Sequence, residues 1–199
     1  MVEGFNGFVA EQRAKPGDCA LTLVQFDSNE PHEVIHDALP LTKVRDLTRE
    51  QYRPRGGTPL LDALGRVIAK ADARLAEIQH DEDQVVAVFT DGLENASRQW
   101  TRARLFDVIE DRRNAGWAFV FMGANQDSYA EAGRLGLDPD SVQDFRADKQ
   151  GVHAAFGSLT RAMREYRGTA RDERLRRRKA FWAGRKEAEE DDRGREEEP

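Results

Sequence analysis

The chain has 199 residues, 39% hydrophobic and 34% charged, with a formal net charge of −6 and one cysteine, Cys19. That length suits one domain with a proper core, and so much charge leaves part of the chain outside it. The mild acidity gives no reason to expect nucleic acid or an anionic membrane as partner, a lone cysteine excludes an internal disulfide and a thiolate zinc site, and no apolar run is long enough to span a bilayer.

Val2, Phe5, Phe8 and Val9 recur at helical spacing, so 2–14 reads as a helix, ended by Pro16-Gly17-Asp18. Residues 19–26, CALTLVQF, read as a strand with apolar side chains on both faces. The stretch 33–41 alternates and contains Pro40, which suits an exposed edge strand. A loop then leads into a strong helix whose apolar face runs through Leu60, Leu61, Leu64, Val67, Ile68, Ala71, Leu75 and Ile78. Thr58 is its expected cap, with Pro59 at the first helical position.

The run 84–90, QVVAVFT, is rich in β-branched residues and has the composition of a strand buried on both faces. Thr101 opens a helix with Leu105, Phe106 and Ile109 on one side. A second buried strand follows at 117–123, then a short helix over 127–135 with Asp127 as its expected cap. A weaker strand at 141–145 precedes a helix over 148–167 with Val152, Ala155, Phe156, Leu159, Met163 and Tyr166 inward. Such alternation specifies an α/β fold: a Rossmann-like, mostly parallel sheet with helices on both faces. The domain is expected over 1–167. Residues 168–199 are dense in charge, basic first and acidic last, and read as a solvated helix fraying into a disordered tail. A sharper reading makes them an interaction arm anchored by Phe181 and Trp182.

Open α/β sheets place ligands outside the carboxyl ends of their strands. Three segments reach that edge: Asp27-Ser28-Asn29, the loop that delivers Thr58, and the turn Asp91-Gly92. A hydroxyl and a carboxylate are hard oxygen donors suited to Mg²⁺ or Ca²⁺, and Gly56 and Gly57 let backbone approach an ion closely. Each residue also has a plainer role, Thr58 as helix cap and Asp91 as turn former. Asn95 and Ser97 would line the same rim. His32, His36, His80 and His153 do not cluster and read mostly as surface residues, and Cys19 reads as small core filler. Neither a P-loop nor a nucleophile elbow is present.

YRPRGGTPLLDAL, over 52–64, followed by VVAVFTDGLEN, over 85–95, resembles the von Willebrand factor type A (vWA) domain. The resemblance covers about 2–165 and implies a metal-ion-dependent adhesion site. Thr58 in Gly-Gly-Thr would bind the ion through its hydroxyl, and Asp91 in Thr-Asp-Gly would bind it directly or through water. It further implies a binding module that recognises a carboxylate of a protein partner through Mg²⁺, with Mn²⁺ or Ca²⁺ as possible substitutes; the mild acidity already argues against nucleic acid and membrane as partners. The departure is the family's Asp-x-Ser-x-Ser loop, absent here together with the strand that carries it, so the first central strand of the sheet is expected to be missing and the site incomplete. A reading frame that begins upstream of Met1 is the favoured explanation, a truncated paralogue the other. Loss of that strand is expected to leave its neighbours unpaired or to make them pair with each other.

Three rivals stand beside the binding module. One is a metal-dependent hydrolase or phosphotransfer domain using Asp91 with Asp27 and Asp127 as helpers. Another is a metal-free interaction scaffold with a dead site. The weakest is nucleic-acid binding through RLRRRK at 174–179, beside an acidic run. No basic stretch followed by an apolar one opens the sequence, so a reducing, cytoplasmic setting is expected.

Overall fold

The computed structural model describes residues 1–124 and 128–176. Helix α1 (Val2–Ala14) precedes a hairpin of β1 (Ala20–Gln25) and β2 (Glu33–Pro40). Then come α2 (Leu60–Glu77), β3 (Val85–Thr90), α3 (Arg102–Asn114), β4 (Ala118–Ala124), α4 (Ser128–Arg134), β5 (Val142–Phe145), α5 (Lys149–Gly168) and α6 (Arg171–Arg176). Strands β3, β4 and β5 form a parallel sheet in that order, with Val88 opposite Phe121 and Met122 opposite Gln143. Strands β1 and β2 pair with each other, antiparallel, and with no other strand among the described residues.

Side-chain alternation along β4 builds the layers. Phe119 and Phe121 enter a core with Leu60, Leu64 and Ile68 of α2, Leu105 and Ile109 of α3, and Ala132 of α4. Val120, Met122 and Ala124 enter the opposite core, with Ala155, Leu159 and Met163 of α5. Both faces of the sheet are therefore covered by helices, as the alternating pattern in the sequence requires. Phe89 anchors β3 to α5 through Phe156, the rings stacked at 4.4 Å.

The hairpin shares these layers. On one side Leu21, Leu23 and Leu39 pack with Phe5 and Val9 of α1, and Phe89 of β3 joins that same cluster. On the other side Phe26 packs into the α2 core, and Lys70 of α2 pairs with Asp37 of β2 at 2.7 Å. The hairpin thus packs against the same two helices, α1 and α2, while remaining a sheet separate from β3–β4–β5.

That split changes the reading of β3. Its sequence promised burial on both faces, as β4 shows from Phe119 onward. Instead Val85 and Val86 are half-exposed and Ala87 is exposed. Among the described residues no strand pairs with its second edge. Two smaller corrections concern side chains. Phe106, expected on one side with Leu105 and Ile109, is exposed and lies against Gly136 after α4, while those two are buried, and His36 is buried, with Nε2 3.2 Å from the Arg45 carbonyl.

Thr101 and Asp148 cap α3 and α5 through the backbone N–H of Arg104 and Gly151. The basic stretch after α5 folds back. Arg171 pairs with Asp81 at 2.5 Å, and Arg174 pairs with Asp83 while its guanidinium lies over the Tyr166 ring. Phe181 and Trp182 lie outside the described residues, as do 177–199 altogether. No helix of the described residues is long and apolar enough to cross a membrane.

Candidate functional site

Three loops converge where β1 and β3 end. The first is Asp27-Ser28-Asn29. The Asp27 carboxylate accepts the N–H groups of Asn29 (2.7 Å) and Glu30 (3.0 Å) and pairs with Arg55. Its burial alone would push its pKa up; the Arg55 guanidinium and the two N–H donors outweigh that and hold it below the usual carboxylate value. Arg55 reaches on to Glu33 at 2.9 Å, and the Gln25 amide donates to the Gln51 carbonyl at 2.8 Å. Loop 51–55 is thereby tied to the hairpin.

The second loop crosses the rim on two glycines. Gly56 has φ +67°, the left-handed region that favours glycine, and a Cβ there would collide with Ser28 Oγ. Gly57 donates its N–H to the same hydroxyl at 3.0 Å. The chain then reaches Thr58, which is clamped from both directions by the third loop. Thr58 N–H donates to Asn95 Oδ1 at 2.8 Å, and Asn95 N–H donates to the Thr58 carbonyl at 3.2 Å. The Thr58 hydroxyl stands directly over Gly92, in space that a Cβ at 92 would take.

Thr58 does not cap α2. Pro59 holds the cap position and makes no side-chain bond. The orphan N–H groups of the first turn are taken by the loop after β3: Leu61 N–H donates to Glu94 Oε2 at 3.0 Å and Asp62 N–H to Ser97 Oγ at 3.1 Å. Ser97 Oγ in turn donates to Glu94 at 2.7 Å. Asp62 returns the favour from inside the helix, accepting the N–H groups of Arg98, Gln99 and Trp100 at 2.8–2.9 Å. Burial would raise the Asp62 pKa, but these three donors prevail and lower it. Gly65 lies beneath the Trp100 indole, which leaves no space for a Cβ. The helix start and the rim loop therefore form one rigid unit, and the Thr58 hydroxyl is left without a hydrogen bond among the described residues.

Asp91 is exposed, and its carboxylate also has no hydrogen-bond partner among the described residues. It lies near Tyr52, whose phenol is pushed up first by burial and then by the Asp91 charge. Leu93, 53% exposed, stands two residues on.

The donors can be tested against an ion. Thr58 and Asp91 are hard oxygen donors with no hydrogen bond among the described residues, and the Thr58 hydroxyl lies over Gly92 of the turn that carries Asp91, which fits part of a Mg²⁺ shell. Asp27 is committed to Arg55, and Glu94 to four donors of its own loop and helix. Among the described residues, no group of three or more His, Cys, Asp or Glu is gathered that could hold a metal. The fit is partial: most of an octahedral shell would be water.

Of the residues read from sequence, Thr58, Asn95 and the Asp91-Gly92 turn meet. Asp27 reaches the same rim but is neutralised, and Asp127 lies outside the described residues. Sequence reasoning missed Glu94 and Asp62 as the clamp. A signal existed in the Glu94-x-x-Ser97 spacing and in a first-turn Asp, both of which favour backbone N–H acceptance. Comparisons with protein-family models, curated proteins and solved structures return no match.

Proposed function

We propose that this chain is a vWA-type protein-binding module with a partial metal-ion-dependent adhesion site. Thr58 and Asp91 hold Mg²⁺ on the protein side, and an acidic group of a protein partner completes the shell. The observation that carries this reading is the Thr58 hydroxyl seated over Gly92, the residue that follows exposed Asp91, at the carboxyl rim of a helix-covered parallel sheet. The clamp by Asn95, Glu94 and Asp62 supports it, because a preorganised hydroxyl is worth more to an ion than a mobile one. Exposed Leu93 adds an apolar contact beside the charge.

A metal-free scaffold is the second reading. It is favoured by the same clamp, which joins the rim with no ion needed.

Calorimetric titration with MnCl₂ separates them. The adhesion-site reading expects weak binding, roughly millimolar for so few protein donors, abolished in both Thr58→Ala and Asp91→Asn. Heats that neither substitution alters, or none in the native chain, would leave the scaffold.

A further inference from the structure

Many of the described arginines are already committed. Arg55, Arg74, Arg102, Arg112, Arg113 and Arg134 each pair with a carboxylate. Three arginines around Trp100 differ. Arg98 is exposed, and its side chain makes no hydrogen bond or ion pair among the described residues. Arg104 is exposed too. Its guanidinium lies over the Trp100 indole, 3.9 Å from the ring centroid, and meets no carboxylate among the described residues. Arg66 donates to Gln99 Oε1 at 3.0 Å, a neutral acceptor.

One helix start gathers the three. Asp62 accepts the N–H groups of Arg98, Gln99 and Trp100, and Arg66 lies one turn further along α2. The Trp100 ring packs on Gly65 between those positions, and Arg104 reaches it from the first turn of α3. Asp62 does not answer these charges at the surface, being 3% exposed with its oxygens taken by the three N–H groups. Asp107, three residues after Arg104, makes no ion pair among the described residues. The patch therefore offers guanidinium groups to solvent on a chain of net charge −6. A guanidinium carries paired N–H donors that match a carboxylate, and stacking on Trp100 orients the Arg104 fork in advance. The indole is not open to a nucleobase, because Gly65 and Arg104 both lie against it, and single-strand binders need a free aromatic face. The chain's own acidic run, 187–198, has cations far nearer in sequence, within 176–186.

We propose that Arg66, Arg98 and Arg104, arranged around Trp100, form a docking surface for an acidic segment of a partner protein, whose neighbouring Asp or Glu carboxylates pair with these guanidinium groups. The inference uses neither Thr58 nor Asp91 and is tested with divalent ions removed, so it stands or falls apart from the ion site. The two sites are compatible. Arg66 lies about 9 Å along α2 from its start, a distance that roughly three extended residues of one partner segment cover.

The experiment titrates the full chain, in EDTA and low salt, into a fluorophore-labelled peptide, acetyl-GEEDEEG-amide, and reads anisotropy. Its neutral control is acetyl-GQQNQQG-amide. Arg98→Gln/Arg104→Gln removes two charges from the patch. Arg49→Gln/Arg164→Gln removes two from exposed positions elsewhere and keeps the same net charge. The expected result is saturable binding of the acidic peptide alone, weakened about tenfold or more in the first variant and less than about twofold in the second. In the native chain the peptide also shifts the Trp100 indole N–H resonance, a readout that needs no substitution. No binding by the native chain, an unmoved Trp100 resonance, or equal weakening in the two variants would overturn the proposal. So would a ten-nucleotide oligothymidylate that binds more tightly through the same two arginines, which would assign the patch to nucleic acid. A tenfold gain in peptide affinity when Asp191, Asp192, Glu196, Glu197 and Glu198 are replaced by their amides would likewise overturn it, assigning the patch to the chain's own acidic run.

Discussion

The hydroxyl of Thr58 occupies the space where a Cβ of Gly92 would stand. The Thr-Asp-Gly turn is therefore a matched surface: the glycine admits the threonine over the turn that carries Asp91. Gly92→Ala must push Thr58 away or bend the turn. The expected loss of stability is roughly 1–3 kcal/mol, as for overpacking, with Mn²⁺ binding lost as well. Urea denaturation and calorimetry check both. Gly157→Ala serves as contrast. A Cβ there meets nothing within 4 Å, and removing a glycine from the α5 interior is expected to stabilise by about 0.5–1 kcal/mol.

Thr58→Ala distinguishes a rim ligand from a helix cap. A capping threonine would lose about 1 kcal/mol on truncation. Since Pro59 holds the cap position and Glu94 and Ser97 serve the first turn, the expected change is below about 0.5 kcal/mol. A thermal midpoint several degrees lower would restore the capping role.

Asp62 is the opposite case. Replacing it by Ala strands the N–H groups of Arg98, Gln99 and Trp100 in a buried setting. The expected destabilisation is roughly 3 kcal/mol, and more than for Asp62→Asn, whose amide oxygen retains part of the acceptance. Equilibrium unfolding of the two variants gives the comparison.

Acid should loosen the rim. Asp27 and Asp62 both have folded pKa values held below their ordinary ones. Groups of that kind contribute stability that is present above the unfolded value, near 4, and is lost as pH falls through the lower folded value. Unfolding free energy is therefore expected to decline from about pH 5 downward, and less steeply in Asp62→Asn. A pH series of denaturant midpoints with identical slopes in both proteins would contradict this.

Much of the architecture was legible along the chain. Period-3.6 apolar faces marked α2 and α5, β-branched runs marked β3 and β4, and Thr101 announced the start of α3, because these features depend on neighbours within a few residues. The carboxyl-rim position of Thr58 and Asp91 followed from strand direction. What the sequence could not determine were relations between distant segments. The composition of β3 declares a strand covered on both faces and is silent on who pairs with its edges, since backbone hydrogen bonds carry no side-chain signature. Only the tertiary structure decided that β3 has one edge with no partner strand among the described residues, that Asp27 is consumed by Arg55, and that the first turn of α2 is capped by Glu94 and Ser97 rather than by Thr58. Each of those outcomes turns on which partner reaches a polar group first in three dimensions, and local sequence does not encode that contest.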